Sequence, residues 1–307
     1  MEEAVKQLNE RRIALLRTTL LEWYAANARQ FAWRQHDDPY AILVLEVMSQ
    51  QTQLERVSDA WSQFIRRWPS PDSLGNTPRG EVIAFWSNHA LGYNRRAEYL
   101  HRAATHIVAE WDGTLPADPD KLQELPGVGP YTASAVASFA FDRPHAVLDT
   151  NVKRILYRVF GEDAGEFEDI ADRLLPDDKA SDWNNAIMDL GATVCTATPQ
   201  CDEAPCPWRE QCTAYALGSF DSPNSPTQST FEGSRRQFRG RIVRTLASNG
   251  AREIDGIGRA ISEEYDPTSQ ADRSWVYDLL QDLADDGLVS FDEEQEIAAL
   301  PSTPEQL

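Results

Sequence analysis

The sequence predicts an all-α protein that carries a small winged-helix-like module at its C-terminal end. Three observations lead there. Apolar residues recur at helical spacing in one run after another between residues 8 and 191. Proline and glycine fall between these runs, where helices stop and start. No segment ahead of residue 287 alternates as a half-buried strand would.

Residues 8–30 form the first expected helix, with Leu8, Ile13, Leu16, Leu20 and Trp23 on one face. Residues 41–53 form the second. Ile42, Leu43, Val44, Leu45, Val47 and Met48 make it apolar almost all round, so it is expected to be buried. Helical patterns continue over 54–68, 79–87, 95–111, 119–124, 131–141, 151–160, 166–175 and 183–191. Cys195, Cys201, Cys206 and Cys212 follow within 18 residues, and the chain has no other cysteine. Residues 218–230 are rich in Ser, Pro, Asn and Thr and read as the core of a flexible linker spanning 218–234. Beyond it, 238–248, 252–264 and 272–286 read as helices and 287–291 as a strand. The expected organisation is a helical domain over 1–217 with a cysteine loop at 195–212, the linker, a winged helix-turn-helix over 235–298 and a disordered tail over 299–307.

The 307 residues carry a net charge of −20, with four lysines against 25 arginines. An acidic surface repels phosphates in dilute salt. Acidic, lysine-poor composition is also the halophile style, in which molar salt shortens the Debye length to about 3 Å and removes that repulsion beyond contact. The charge therefore excludes DNA as a partner only in a dilute cell. No apolar run reaches the roughly 18 residues of a membrane span, and the first six residues are charged and lack a signal-peptide core. A soluble, cytoplasmic, monomeric protein is expected.

Leu125-Pro126-Gly127-Val128-Gly129-Pro130-Tyr131 reads as a tight hairpin running into a helix N-terminus. Amides at such a terminus suit a phosphate, although a short glycine motif also fits an ordinary helix–helix turn. Asp149 lies 18 positions after Tyr131 and directly before a helix, where an N-cap is the commonplace role. The run from Leu125 with Asp149 behind it resembles the helix-hairpin-helix element of the endonuclease III and MutY superfamily of DNA glycosylases. That resemblance implies a helix-hairpin-helix glycosylase fold over residues 10–215, with Gly127, Val128 and Gly129 on DNA phosphate and Asp149 catalytic.

Further motifs are similar to the MutY branch, whose members excise adenine opposite 8-oxoguanine or guanine in base excision repair. Glu46 stands on an apolar helix, where a carboxylate is costly unless paired, with Arg34 for example, or functional. Burial would keep such a group protonated near neutrality, as a general acid requires. In the family this glutamate protonates the departing purine, and the Gln50-Gln51-Thr52 run after it probes the duplex once a base is flipped out. Ser49 replaces the usual leucine. Trp33 and Arg34 stand at the adenine pocket, Tyr93 in a loop near the opposite base, and Asn185 where a longer Gln or Glu contacts adenine. Tyr131 replaces the lysine of bifunctional members, which forms a Schiff base with the sugar; the implied enzyme removes a base without efficient strand cleavage. The 231–307 segment does not resemble the family's Nudix-like domain.

Four cysteines this close in a cytoplasmic chain point to a metal before disulfides. Their spacing, Cys-x5-Cys-x4-Cys-x5-Cys, lacks the Cys-x2-Cys pair of zinc ribbons and departs in its first and middle gaps from the Cys-x6-Cys-x2-Cys-x5-Cys of the family it resembles. Position in the chain implies a [4Fe–4S] cluster, with zinc as the alternative. Arg235, Arg236, Arg239, Arg241 and Arg244 form the densest basic run, either a phosphate-contacting helix or a solvated face. Two other functions remain open: a thymine glycosylase acting on T opposite G, and a catalytically silent DNA-binding protein on this fold.

Overall fold

The computed structural model describes residues 8–161, 166–223 and 230–302. Twelve helices come first: α1 (Glu10–Asn27), α2 (Pro39–Ser49), α3 (Leu54–Arg67), α4 (Pro71–Gly75), α5 (Arg79–Asn88), α6 (Arg95–Trp111), α7 (Pro119–Leu122), α8 (Pro130–Phe141), α9 (Thr150–Phe160), α10 (Phe167–Leu174), α11 (Ala180–Thr193) and α12 (Thr213–Leu217). The C-terminal module then runs α13 (Arg235–Asn249), β1 (Arg252–Glu253), α14 (Ile254–Ile261), α15 (Gln270–Asp285), β2 (Ser290–Asp292) and β3 (Ile297–Ala299). Ahead of β1, no strand occurs among the described residues.

The chain divides into two compact units. The first comprises residues 1–42, 117–123 and 128–227. Its core gathers Leu16 and Leu20 of α1, Val152, Ile155 and Leu156 of α9, Ile170 and Leu174 of α10, and Trp183, Ile187 and Leu190 of α11. These residues stand three or four apart along their helices, the spacing that lines up one buried stripe. Asn9 caps α1 by accepting from the Arg12 amide at 2.9 Å. Trp208, beyond the third cysteine, donates its indole N–H to Leu16 O at 2.9 Å and ties the cysteine loop to α1.

The second unit comprises residues 43–116, 124–127 and 228–307. Within it α4 and α5 pack on α6, and α13 packs on α5. The C-terminal module thus falls within this unit. In the module a three-stranded antiparallel sheet, ordered β1-β3-β2, pairs Arg252 with Ala298 and Phe291 with Ala298 across β3. The Gly80 amide donates to Pro301 O at 2.8 Å, joining α5 to the residues after β3.

The boundaries differ from the sequence expectation where caps decide them. Ser234 accepts from the Gln237 amide, so α13 begins three residues early. Residues 252–253 pair as β1 before α14 starts. The second helix stops at Ser49, because Gln51 takes φ +52°, a left-handed value no helix continues through. Ala299 belongs to β3 and Pro301 is buried, so the expected tail is ordered at 299–302; residues 303–307 lie outside the described residues. The expected linker is described at 218–223 and 230–234, and 224–229 lie outside.

Candidate active site, hairpin and cysteine loop

The hairpin is built as its glycines suggest. Gly127 has φ +76°, and a Cβ there would stand 2.8 Å from Tyr99 Cβ, which no side chain tolerates. Gly129 is the N-cap of α8 and Pro130 its first residue, where proline's fixed φ is already helical. Val128 is buried between them. Tyr131 follows in the first turn and is 36% exposed, within reach of solvent and of anything docked on that terminus.

Asp149 is the N-cap of α9. One carboxylate oxygen accepts from the Val152 amide at 2.7 Å and the other from the Asn151 side chain at 2.8 Å. Both donors are N–H groups, so the carboxylate is fixed in place as an acceptor. The commonplace reading of this aspartate as a cap is therefore correct, and it leaves the functional one intact. Asn151 is itself positioned from below: a Cβ on Gly191 of α11 would stand 2.9 Å from Asn151 Cβ, so glycine permits the close approach.

The approach to Asp149 is held by Asn184, which is fully buried. Its carbonyl accepts from the Val147 amide at 3.1 Å, and its amide donates to Ser138 Oγ at 2.8 Å and to His145 O at 2.9 Å. Asn185, singled out from the sequence, turns its amide back to Ser181 O on its own helix at 3.0 Å.

Trp33 and Arg34 lie in a short 3₁₀ turn, Ala32–Gln35. Trp33 is buried and stacks on Phe31, ring centres 4.4 Å apart and 9° from parallel. Arg34 is committed elsewhere than to an empty pocket. It grips Asp189 bidentately at 2.7 and 2.8 Å and donates to Arg29 O, while Arg29 holds the same carboxylate at 2.6 Å. Asp189 is fully buried. Burial alone would raise its pKa, but the hydrogen bonds from Arg34 and Arg29 outweigh burial and hold it below the usual carboxylate range.

Glu46 lies in the second unit, buried at 8% exposure between Leu45 and Val47. Gln50, Gln51 and Thr52 follow the end of α2, and Thr52 Oγ1 donates to Leu91 O at 3.0 Å. One residue organises this region, the buried Arg96 of α6. It donates to Val47 O at 2.9 Å, Met48 O, Gln50 O and Thr52 Oγ1 on one side, and to Leu91 O at 2.8 Å and Gly92 O on the other. Burial pushes its pKa down to about 10, still charged at neutral pH. The guanidinium also lies over Trp86 and Tyr93, whose φ of +45° turns its ring 41% exposed.

The four cysteines line one small cavity with Ile155, Val159, Leu190, Trp208 and Phe220. Burial raises the thiols of Cys201, Cys206 and Cys212, that of Cys206 to about 12. Arg158 of α9, buried, points Nη1 at Cys195 Sγ at 3.4 Å and donates to Thr196 O, Ala197 O and Phe220 O. Among the described residues no three His, Cys, Asp or Glu side chains close on one point as a single ion would require. Four thiols around one small cavity, with the Arg158 guanidinium beside Cys195, are of the donor type that an iron–sulfur group takes as thiolates.

Residues 44–176 match the model of the HhH-GPD superfamily of base excision DNA repair proteins. Over 240 residues the chain is 40% identical to an adenine DNA glycosylase of Mycobacterium tuberculosis, covering 75% of this chain and 77% of that one. The chain belongs to the HhH-GPD superfamily. It is a DNA glycosylase, a hydrolase of base excision repair, and its partner is DNA. This glycosylase is also 35% identical over 220 residues to a thymine-DNA glycosylase of Aeropyrum pernix, covering 68% of this chain and 97% of that one. The solved structure of a thermostable thymine-DNA glycosylase superposes with a TM-score of 0.63 at 28% identity, covering 67% of this chain and 98% of that one.

Three residues that hold this glycosylase's site were not singled out from its sequence: Arg96, Asn184 and Asp189. Each sits inside a helix. Periodicity offered one signal, since Asn184 and Asp189 occupy the same buried stripe of α11 as Trp183, Ile187 and Leu190. A polar residue on such a stripe needs a partner.

Proposed function

We propose that the chain is a monofunctional adenine DNA glycosylase, excising adenine mispaired with 8-oxoguanine or guanine. The observation that carries the catalytic reading is Asp149, held as an acceptor by two N–H donors at the start of α9. The substrate reading rests on the 40% identity to an adenine glycosylase and on Gln50-Gln51-Thr52 beside Glu46.

In this mechanism Glu46 gives a proton to N7 of the flipped-out adenine, and the bond from the sugar to N9 breaks as the base leaves neutral. Asp149 stabilises the oxocarbenium-like sugar by its charge or by transient covalent attack. Water then adds its oxygen to the anomeric carbon, displacing Asp149 where that bond has formed; its proton passes to the Asp149 carboxylate or to solvent, from which Glu46 is reprotonated, and an abasic site is left. Tyr131 offers no amine for a Schiff base, so the strand stays intact. Trp33 packs at the adenine pocket, and Gly127, Val128 and Gly129 present backbone to a phosphate. Arg34 acts there by ordering the turn through Asp189, while Gln50, Gln51, Thr52, Tyr93 and Asn185 contact the duplex. Cys195, Cys201, Cys206 and Cys212 hold a [4Fe–4S] cluster, zinc being the alternative. The cluster when bound fixes the loop's shape, since glycosyl hydrolysis involves no redox step.

The test is base release from labelled duplexes carrying A opposite 8-oxoguanine, A opposite G, and T opposite G, in high KCl, with and without hot alkali. Cleavage of the adenine strand only after alkali supports the proposal. Release of thymine instead favours the second reading, which the Aeropyrum pernix relative makes specific. No release from any duplex favours a silent DNA-binding protein. Iron and sulfide analysis separates the cluster from zinc.

A further inference from the structure

In a chain of net charge −20, one cleft of the second unit runs against the overall sign. It encloses about 710 Å³. Its lining brings Arg56 and Arg95 together with Arg235, Arg236, Arg239 and Arg244 of α13, against a single lining carboxylate, Asp286. One wall comes from Arg56 and residues 87–95 and the other from residues 231–288. The two walls are fastened, because Arg95 pairs with Asp286 at 3.3 Å and α13 packs on α5.

The carboxylates nearby are already used. Asp282 takes Arg235 at 2.7 Å and Arg239 at 3.7 Å, and Asp286 takes Arg239 as well as Arg95. Arg56 and Arg244 enter no ion pair among the described residues; Arg56 bonds only Ala90 O, at 3.3 Å. Two large rings at this cleft are partly exposed, Tyr93 at 41% and Phe231 at 54%. The Arg236 guanidinium lies against both, 5.9 Å from the first ring centre and 5.4 Å from the second. Through Arg96 the Leu91–Gly92 wall is tied to Gln50 and Thr52.

Six arginines against Asp282 and Asp286 leave the cleft with net positive charge, which favours an anion, and partly exposed rings beside them offer a face for a base. We propose that this cleft extends the duplex-binding face beyond Tyr93: Arg56, Arg236 and Arg244 take backbone phosphates, and Phe231 stands beside Tyr93 to stack on an unpaired base or sugar. The C-terminal module is then part of the DNA interface through α13. The chemistry called for is a polyanion with flat, unstacked rings, and single-stranded or distorted DNA has both. The inference rests on the DNA glycosylase reading and extends it to residues 228–307.

The test uses the full chain and a fluorescent duplex with a tetrahydrofuran abasic analogue opposite 8-oxoguanine, titrated by anisotropy across a KCl series. Replacing both Arg236 and Arg244 by Ala is expected to make the log-affinity against log-salt slope shallower by about 2, one for each lost phosphate contact. Replacing both by Lys should restore the slope. Phe231→Ala, which removes no charge, should weaken binding about tenfold with the slope unchanged. Arg11→Ala, which removes one charge on the exposed side of α1, should leave both quantities alone. If the double Ala variant keeps the parent's melting temperature, affinity and slope, the inference is overturned. It is overturned equally if inorganic phosphate protects the cleft while none of the substitutions alters DNA binding. Failure of the glycosylase reading is distinguishable: there the parent protein releases no base from any duplex.

Discussion

Replacing Arg96 by methionine removes one guanidinium and unties two segments at once. Six acceptors lose a bond from Arg96; Leu91 O keeps the Thr52 hydroxyl and Gly92 O the Trp86 indole, so the buried acceptors left bare are Val47 O and Met48 O. Val47 and Met48 lie in the last turn of α2, whose carbonyls have no partner further along the helix. A buried acceptor left without its donor costs about 1–3 kcal/mol. Relief of the buried charge returns part of this, and the half-buried acceptors turn to water, so the net loss is about 4 kcal/mol. Methionine keeps the stem packed against Trp86, which confines the effect to the lost donors. At roughly 2–4 °C per kcal/mol for a unit of this size, the melting temperature should fall by about 8–16 °C in thermal unfolding followed by circular dichroism. Arg96→Lys should fall between, since an ammonium cannot fork to both segments. A methionine variant melting within about 2 °C of the parent would refute the view that Arg96 joins the Gln50–Thr52 segment to the loop at residues 91–93.

Three further outcomes are expected. Asp149→Asn should keep the cap on α9 at a cost below about 1 kcal/mol yet slow single-turnover base release by at least about a hundredfold; equal rates would remove Asp149 from catalysis. Asp189→Asn should destabilise by about 3–5 kcal/mol near neutrality, because Arg29 and Arg34 lose their buried partner. The folded pKa of Asp189 is depressed, so its stabilisation is present above the unfolded value of about 3.9 and lost as pH falls through the lower folded value. Acid unfolding curves of parent and variant should therefore converge below about pH 4, and curves that stay parallel would contradict the ion-pair assignment. Tyr131→Lys supplies the missing amine at an exposed position of the hairpin. Denaturing gels run without alkali should then show strand cleavage and a borohydride-trapped protein–DNA adduct, and absence of both would show that more than the lysine is lacking.

How far the sequence discloses this protein depends on the range of the contacts. The hairpin, the cap at Asp149 and the cysteine loop are local: glycine, proline and aspartate report their own backbone needs within a few residues. The Asp189 cluster is not, since its arginines lie 155 and 160 residues away and nothing near Asp189 announces them. Arg34 shows the same limit, because its position in the motif was legible while its bond to Asp189 was not. In the C-terminal module the helices declared themselves by periodicity, but β1 and β3 are two and three residues long and exist only because they pair. That Pro301 is buried likewise depends on Gly80, far back in the chain. Charge gave the sign of the whole surface and hid the one cleft where arginine collects.

The central claim is that this chain releases adenine as a free base by the joint action of Glu46 and Asp149. Mass spectrometry of the supernatant from a duplex with A opposite 8-oxoguanine tests it directly. The account predicts free adenine in a one-to-one ratio with alkali-labile sites, and none from Glu46→Gln or Asp149→Asn protein that remains folded. Adenine released at the parent rate by either variant, or a different base released by the parent, would contradict it.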